Sequence, residues 1–119
     1  MTKTILLTGG GGYIGSHVLL ELAKQKAYNL VVFDNFENGN RTAIRRVEEA
    51  TNQAISVYEG DLLDDETLKR VFSDEDIDGV IHFAALIEAG KSVKKPLTFY
   101  KNNVSGTVAL LEQMQLNKV

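Results

Sequence analysis

Five glycines fall within seven residues, Gly9 to Gly12 and then Gly15, in the stretch TGGGGYIGSH between an apolar run and a helical pattern. Bare backbone at such a place lets N–H groups converge on an anion, and a helix opening there adds the positive end of its dipole. The ligand that suits such a turn is a pyrophosphate. Two registers fit, Gly9-x-x-Gly12-x-x-Gly15 and Gly10-x-Gly12-x-x-Gly15. In both, the early glycines allow the turn and the close approach of phosphate, and Gly15 lets the helix pack against the strand. Asp34 closes the next apolar run 19 residues after Gly15, near the ~20 at which an acid meets the adenosine ribose of a bound dinucleotide. A carboxylate there accepts from the 2′-hydroxyl of NAD and repels the 2′-phosphate of NADP. Arg41, nearby in sequence, is the residue type that would favour the phosphate instead, so NAD is favoured against that one counter-signal.

Other residues carry two readings. Asp61, in EGDLL, reaches the adenine amino group or simply ends a strand as a turn residue. Asn102 points toward a cofactor or faces solvent. His17 and His82 read as structural rather than catalytic, because neither has a sequence-adjacent nucleophile or ligand partner.

These residues need elements to position them, and the hydrophobic period supplies an alternation. Thr4 to Thr8 is a short strand stopped by glycine; from Ile14 the apolar residues recur at Val18 and Leu22, beside Leu19 and Ala23, as on an amphipathic helix. NLVVF (29–33) is a second buried strand. Asn40 caps a helix burying Ala43, Ile44 and Val47, and AISVY follows as a third strand. Asp64 caps a helix with Leu68, Val71 and Phe72 inward. GVIHFAA (79–85) is a fourth strand, apolar nearly throughout, as when helices cover both faces of a parallel sheet. The only proline, Pro96, suits the first turn of a last helix expected to bury Leu97, Tyr100, Val104, Val108 and Leu111. Four strands alternating with four helices make a doubly wound α/β sheet.

The bulk properties agree with a small-molecule binder. A chain of 119 residues fits one domain. Its net charge of −3, with both signs interspersed, provides no basic field for nucleic acid or an anionic membrane. The absence of cysteine removes disulfides and thiolate metal sites and suits a reducing cytosol. Ile5-Leu6-Leu7 is too short for a signal peptide's core or a membrane span. A cytoplasmic location is therefore expected.

TGGGGYIGSH, FDNFENG, YEGDLLD, VIHFAA, KPLTFYKNNVSGT and LLEQM resemble, in order and spacing, the N-terminal half of the UDP-glucose 4-epimerases of the extended short-chain dehydrogenase/reductase family. The resemblance implies a Rossmann-like doubly wound parallel sheet, here its first four strands with flanking helices, and NAD as cofactor. It puts Gly9, Gly12, Tyr13, Ile14 and Gly15 on the pyrophosphate turn. Asp34, Asn35, Phe36, Asn38 and Gly39 would hold the adenosine end, and Asp61 and Leu62 would lie beside adenine. Phe83, Ala84, Ala85 and Leu86 would pass along the cofactor, and Asn102 matches a cofactor-contacting asparagine. Two positions depart from the pattern. Gly11 stands where many members carry alanine or serine, which is expected to loosen the turn, and Ile87 stands where many carry a lysine.

In such epimerases NAD takes a hydride from C4 of the sugar while a tyrosine supported by a lysine removes the hydroxyl proton. No tyrosine in this chain has a lysine four residues later, so no residue here is assigned to catalysis. The resemblance thus implies the NAD-binding portion of an enzyme of galactose metabolism, with the UDP-sugar a partner of the parent only. A portion of another nucleotide-sugar epimerase or dehydratase, or a short non-catalytic dinucleotide-binding module, are the other readings. With no fifth strand beside it, GVIHFAA is expected to form a bare sheet edge that promotes self-association.

Overall fold

A computed structural model describes residues 2–84 and 93–119. The expected alternation is present: β1 (Lys3–Thr8), α1 (Tyr13–Lys24), β2 (Tyr28–Asp34), α2 (Arg41–Thr51), β3 (Ser56–Glu59), α3 (Asp65–Asp74), β4 (Gly79–His82), α4 (Pro96–Tyr100), a π-helical turn (Lys101–Ser105) and α5 (Gly106–Leu116). The strands pair in parallel in the order β3-β2-β1-β4. This is the doubly wound, Rossmann-like α/β arrangement.

Local chemistry sets the helix starts. The Asn40 side chain accepts from the Thr42 N–H at 2.7 Å, satisfying a donor that has no partner within α2. Asp64 accepts from the Thr67 hydroxyl at 2.7 Å, and Asp65 and Glu66 place two more acids in the first turn of α3, where the dipole favours them. Pro96 occupies the start of α4, where its missing N–H costs nothing.

Alternation along the strands then sends side chains to two cores. Leu6, Val31 and Phe33 face Leu68, Val71 and Phe72 of α3 and Leu110 of α5. Leu7, Leu30 and Val32 face Leu19 and Ala23 of α1 and Ile44 and Val47 of α2. Each fully buried side chain of this kind stabilises the fold by about 1.5–3 kcal/mol relative to exposure. β4 is fastened at its N-terminal end by Asp78, whose carboxylate accepts from the Thr4 N–H at 2.8 Å while its own N–H donates to the Thr4 carbonyl at 2.8 Å.

Three expectations change. The third and fourth strands are shorter than AISVY and GVIHFAA, and the fourth ends at His82, before Phe83 and Ala84 turn toward the glycines. In α1 the buried line is Gly15, Leu19 and Ala23, whereas Ile14 is exposed and Val18 and Leu22 are half-buried. In the last helices Leu97, Tyr100, Val104, Val108 and Leu111 are all exposed, and Gly106, Leu110 and Gln113 are buried instead. The π-helical turn inserts an extra residue per turn and rotates the apolar positions off the face that a continuous helix would present.

Candidate functional site

The glycine turn is built by close approach. Gly9 has a φ of 73°, and a side chain on it would meet the Ala84 nitrogen at 2.8 Å. A Cβ on Gly15 would collide with the Gly9 carbonyl oxygen, so only glycine lets α1 start this near to the end of β1. These two contacts select the Gly9-x-x-Gly12-x-x-Gly15 register; Gly10 instead lies against Val32 in the core. Gly12 caps α1 without a side-chain hydrogen bond. The first N–H groups of the helix, at Tyr13, Ile14 and Gly15, have no acceptor within it and point out of the turn. Free N–H groups at a helix start are the arrangement that suits an anion.

Asp34 organises the neighbouring loop. It is 7% exposed, with one carboxylate oxygen accepting from the Gly11 N–H and the other from the Phe36 N–H, each at 2.9 Å. A carboxylate has about four lone-pair sites, so the group retains capacity for a hydroxyl. Asn40 donates its N–H to the Gly11 carbonyl at 2.9 Å, which locks the loop after β2 onto the glycine turn. Gly11 is therefore not a loosened position. A Cβ there would lie 2.9 Å from the Phe36 ring and 3.0 Å from the Asp34 carboxylate, so these neighbours pack closely on it.

A cavity of about 320 Å³ lies over this turn at the C-terminal end of the sheet, within the range usual for small-molecule clefts and at the place where open α/β sheets bind ligands. Gly9, Gly12, Tyr13, Ile14 and Gly15 line it, as do Asp34, Asn35, Asn38 and Gly39, and Asp61, Leu62, Phe83, Ala84 and Asn102. The exposed Ile14 thus belongs to the cleft rather than to the core. Phe36 is absent from the lining and lies under Arg41, whose guanidinium carbon is 4.6 Å from the ring centroid. Ala85, Leu86 and Ile87 lie outside the described residues. Asp61 accepts from the Leu63 N–H at 3.0 Å as a turn residue and also lines the cavity. Asn102 is carried into the cleft by the π-helical turn and donates to Asn103 at 3.0 Å.

Phe33 and Gly60, which carry no candidate role in the sequence, also line the cavity. Gly60 was signalled by the EGD step after the third strand; a Cβ there would meet Thr67 at 2.6 Å. The histidines stand apart from the cleft. His82 bridges the Thr8 and Thr107 hydroxyls, the latter at 2.9 Å, and burial pushes its pKa down. His17 packs at a tilt against the Tyr13 ring and bonds the Tyr13 carbonyl oxygen at 2.7 Å. Among the described residues no group of three His, Asp or Glu side chains could hold a metal, and no helix is long and apolar enough to cross a membrane.

Donors converging at the turn, a buried acceptor with spare capacity and a mixed apolar cleft between them fit a dinucleotide. Comparison with known proteins agrees with that geometry. The family model described as GDP-mannose 4,6 dehydratase matches residues 6–119. The UDP-glucose 4-epimerase of Erwinia amylovora is 50% identical over 94% of this chain and 33% of its own length. That of Bacillus subtilis is 48% identical over 93% of this chain and 32% of its own length. A crystal structure of the Bifidobacterium longum UDP-glucose 4-epimerase in complex with NAD+ and UDP superposes with a TM-score of 0.93 at 41% identity, covering 98% of this chain and 35% of that one. The chain spans about a third of the length of the curated relatives it matches.

Proposed function

The chain belongs to the family of that GDP-mannose 4,6 dehydratase model, and from that premise we propose that it is the NAD-binding N-terminal portion of a UDP-glucose 4-epimerase. The observation that carries this reading is the buried Asp34 carboxylate, held between the glycine turn and the Phe36–Asn40 loop at the edge of the cleft. On this reading the N–H groups of Tyr13 to Gly15 receive the pyrophosphate and Asp34 accepts from the adenosine ribose. Asp61 and Leu62 flank the adenine, and Phe83, Ala84 and Asn102 guide the chain of the cofactor toward the nicotinamide end. Bound NAD supplies the hydride acceptor. This chain's residues bind and orient it, and without a Tyr-x-x-x-Lys pair they provide no base for a sugar hydroxyl.

Residues 1–119 then form one part of a single dinucleotide-binding domain, and the parent interconverts UDP-glucose and UDP-galactose in galactose metabolism in the cytoplasm. The edge position of β4 and the exposed apolar residues of α4 and α5 support self-association. A nucleotide-sugar dehydratase parent is the second reading, favoured by the description of the family model alone. Sequencing the gene downstream of Val119 separates the two.

Calorimetric titration with NAD and NADP tests the binding role. The chain should prefer NAD, and Asp34→Ala should weaken NAD by roughly one to two decades, as expected for a hydrogen bond to a charged group. Equal affinity for the two dinucleotides in the unsubstituted chain would overturn it.

A further inference from the structure

Beside the ribose end of the cleft stands a cation that does not enter it. Arg41 opens α2 next to Asn40, whose N–H bonds the Gly11 carbonyl, and two residues after Gly39, whose α-carbon is so close to the Asp34 carboxylate that a Cβ there would lie 2.7 Å from its oxygen. A guanidinium tethered at this point is within a side chain's reach of Asp34, yet Arg41 does not line the cavity. Two contacts hold it aside: its face rests on the Phe36 ring, and its Nη2 donates to Glu59 Oε1 at 3.1 Å. Glu59 is placed for this by the sheet, since it pairs in register with Asp34 and so projects from the same face one strand away.

We propose that Glu59 is a specificity-determining residue: by ion-pairing Arg41 it withholds the guanidinium from the ribose end of the cleft and so denies a 2′-phosphate its cation. The inference rests on the dinucleotide reading of the site. Its chemistry is an exchange of anions. A guanidinium offers a planar fork of donors that a phosphate takes up better than a single carboxylate does. Stacking on Phe36 occupies the face of that fork and leaves its edges to whichever anion is present. With Glu59 in place the edge is taken and Asp34 repels the phosphate, so two acids on adjacent strands exclude the phosphorylated cofactor by different means. Both members of the Arg41–Glu59 pair are half-exposed, and such pairs add little to stability, so the variant keeps its fold.

The experiment is calorimetric titration of NAD and NADP into the unsubstituted chain, Glu59→Gln and the double variant Glu59→Gln/Arg41→Gln. Glu59→Gln should tighten NADP up to about fivefold, the most that breaking an exposed ion pair can return, and leave NAD unchanged. The double variant should lose the gain. An unchanged NADP-to-NAD ratio in Glu59→Gln overturns the proposal. So does a gain that persists without Arg41, since removal of negative charge alone would then account for it. If the unsubstituted chain binds neither dinucleotide, the functional reading falls and this proposal with it, an outcome distinct from NAD binding that Glu59→Gln fails to redirect.

Discussion

β2 and β4 both pair with β1, one on each side, and they are buried very differently. From Leu30 to Asp34 every residue of β2 is buried, whereas no residue of β4 is. β2 has a strand on either side and a helix layer on both faces, while β4 sits at the edge of the sheet. The difference shows that a run of apolar residues does not by itself state how deeply a strand is embedded. VVF and GVIHF read alike in sequence; the number of neighbours separates them.

The largest test of this contrast truncates one valine in each strand. Val32→Ala removes two methyl groups from a site with no solvent exposure and should cost about 2–3 kcal/mol. Val80→Ala, at a partly buried position packed against the other core, should cost less than half as much. Urea denaturation of the two variants gives the comparison directly, and equal losses would break it.

Association sharpens the contrast further. An edge strand without proline or lysine invites pairing with another chain, and light scattering over a concentration series should show the mass rising with concentration. Ile81→Lys should lower that mass several-fold at a fixed high concentration. A monomeric unsubstituted chain at high micromolar concentration would mean that another feature guards the edge.

The smallest effect is on pH dependence. Partial desolvation of the His82 imidazole, which still keeps contact with solvent at the end of β4, lowers its pKa, so the unfolded chain takes up a proton first as the pH falls. Stability is therefore full above about pH 6.5, the ordinary histidine value, and declines below it toward the folded pKa. His82→Asn should flatten that decline, measured as the change in urea midpoint between about pH 7.5 and pH 5.5. An identical change in both proteins would show that the ring does not set it.

Much of this molecule was legible because local chemistry and global packing agree. Asn40 and Asp64 cap the helices they were expected to cap, and Leu68, Val71 and Phe72 are buried as a single 3.6-residue stripe. The glycine turn and Asp34 were readable as neighbours because each closes a strand at the same end of the sheet, and the Gly11 N–H joins them. The last helices were not, since α5 is apolar on more than one side and periodicity cannot say which stripe meets the core. The small Gly106, seated on Leu62, decides it, and no hydrophobic pattern marks a glycine as an inward residue. Gly11 was hard to read for a related reason: its setting depends on Phe36 and Asp34, which lie close against it across the loop.

The clasp between Thr4 and Asp78 joins residues 74 apart in the chain, whereas β1 meets β2 with partners such as Leu7 and Val32, only 25 residues apart. Closing the longer loop costs more chain entropy before any contact repays it. That inequality predicts an order of assembly in which β1, β2 and α1 come together first and β4 joins later, fastened by the two hydrogen bonds at Asp78. Truncation at Val80 should then leave the folding rate almost unchanged and speed unfolding, because the strand it weakens is absent from the rate-limiting barrier.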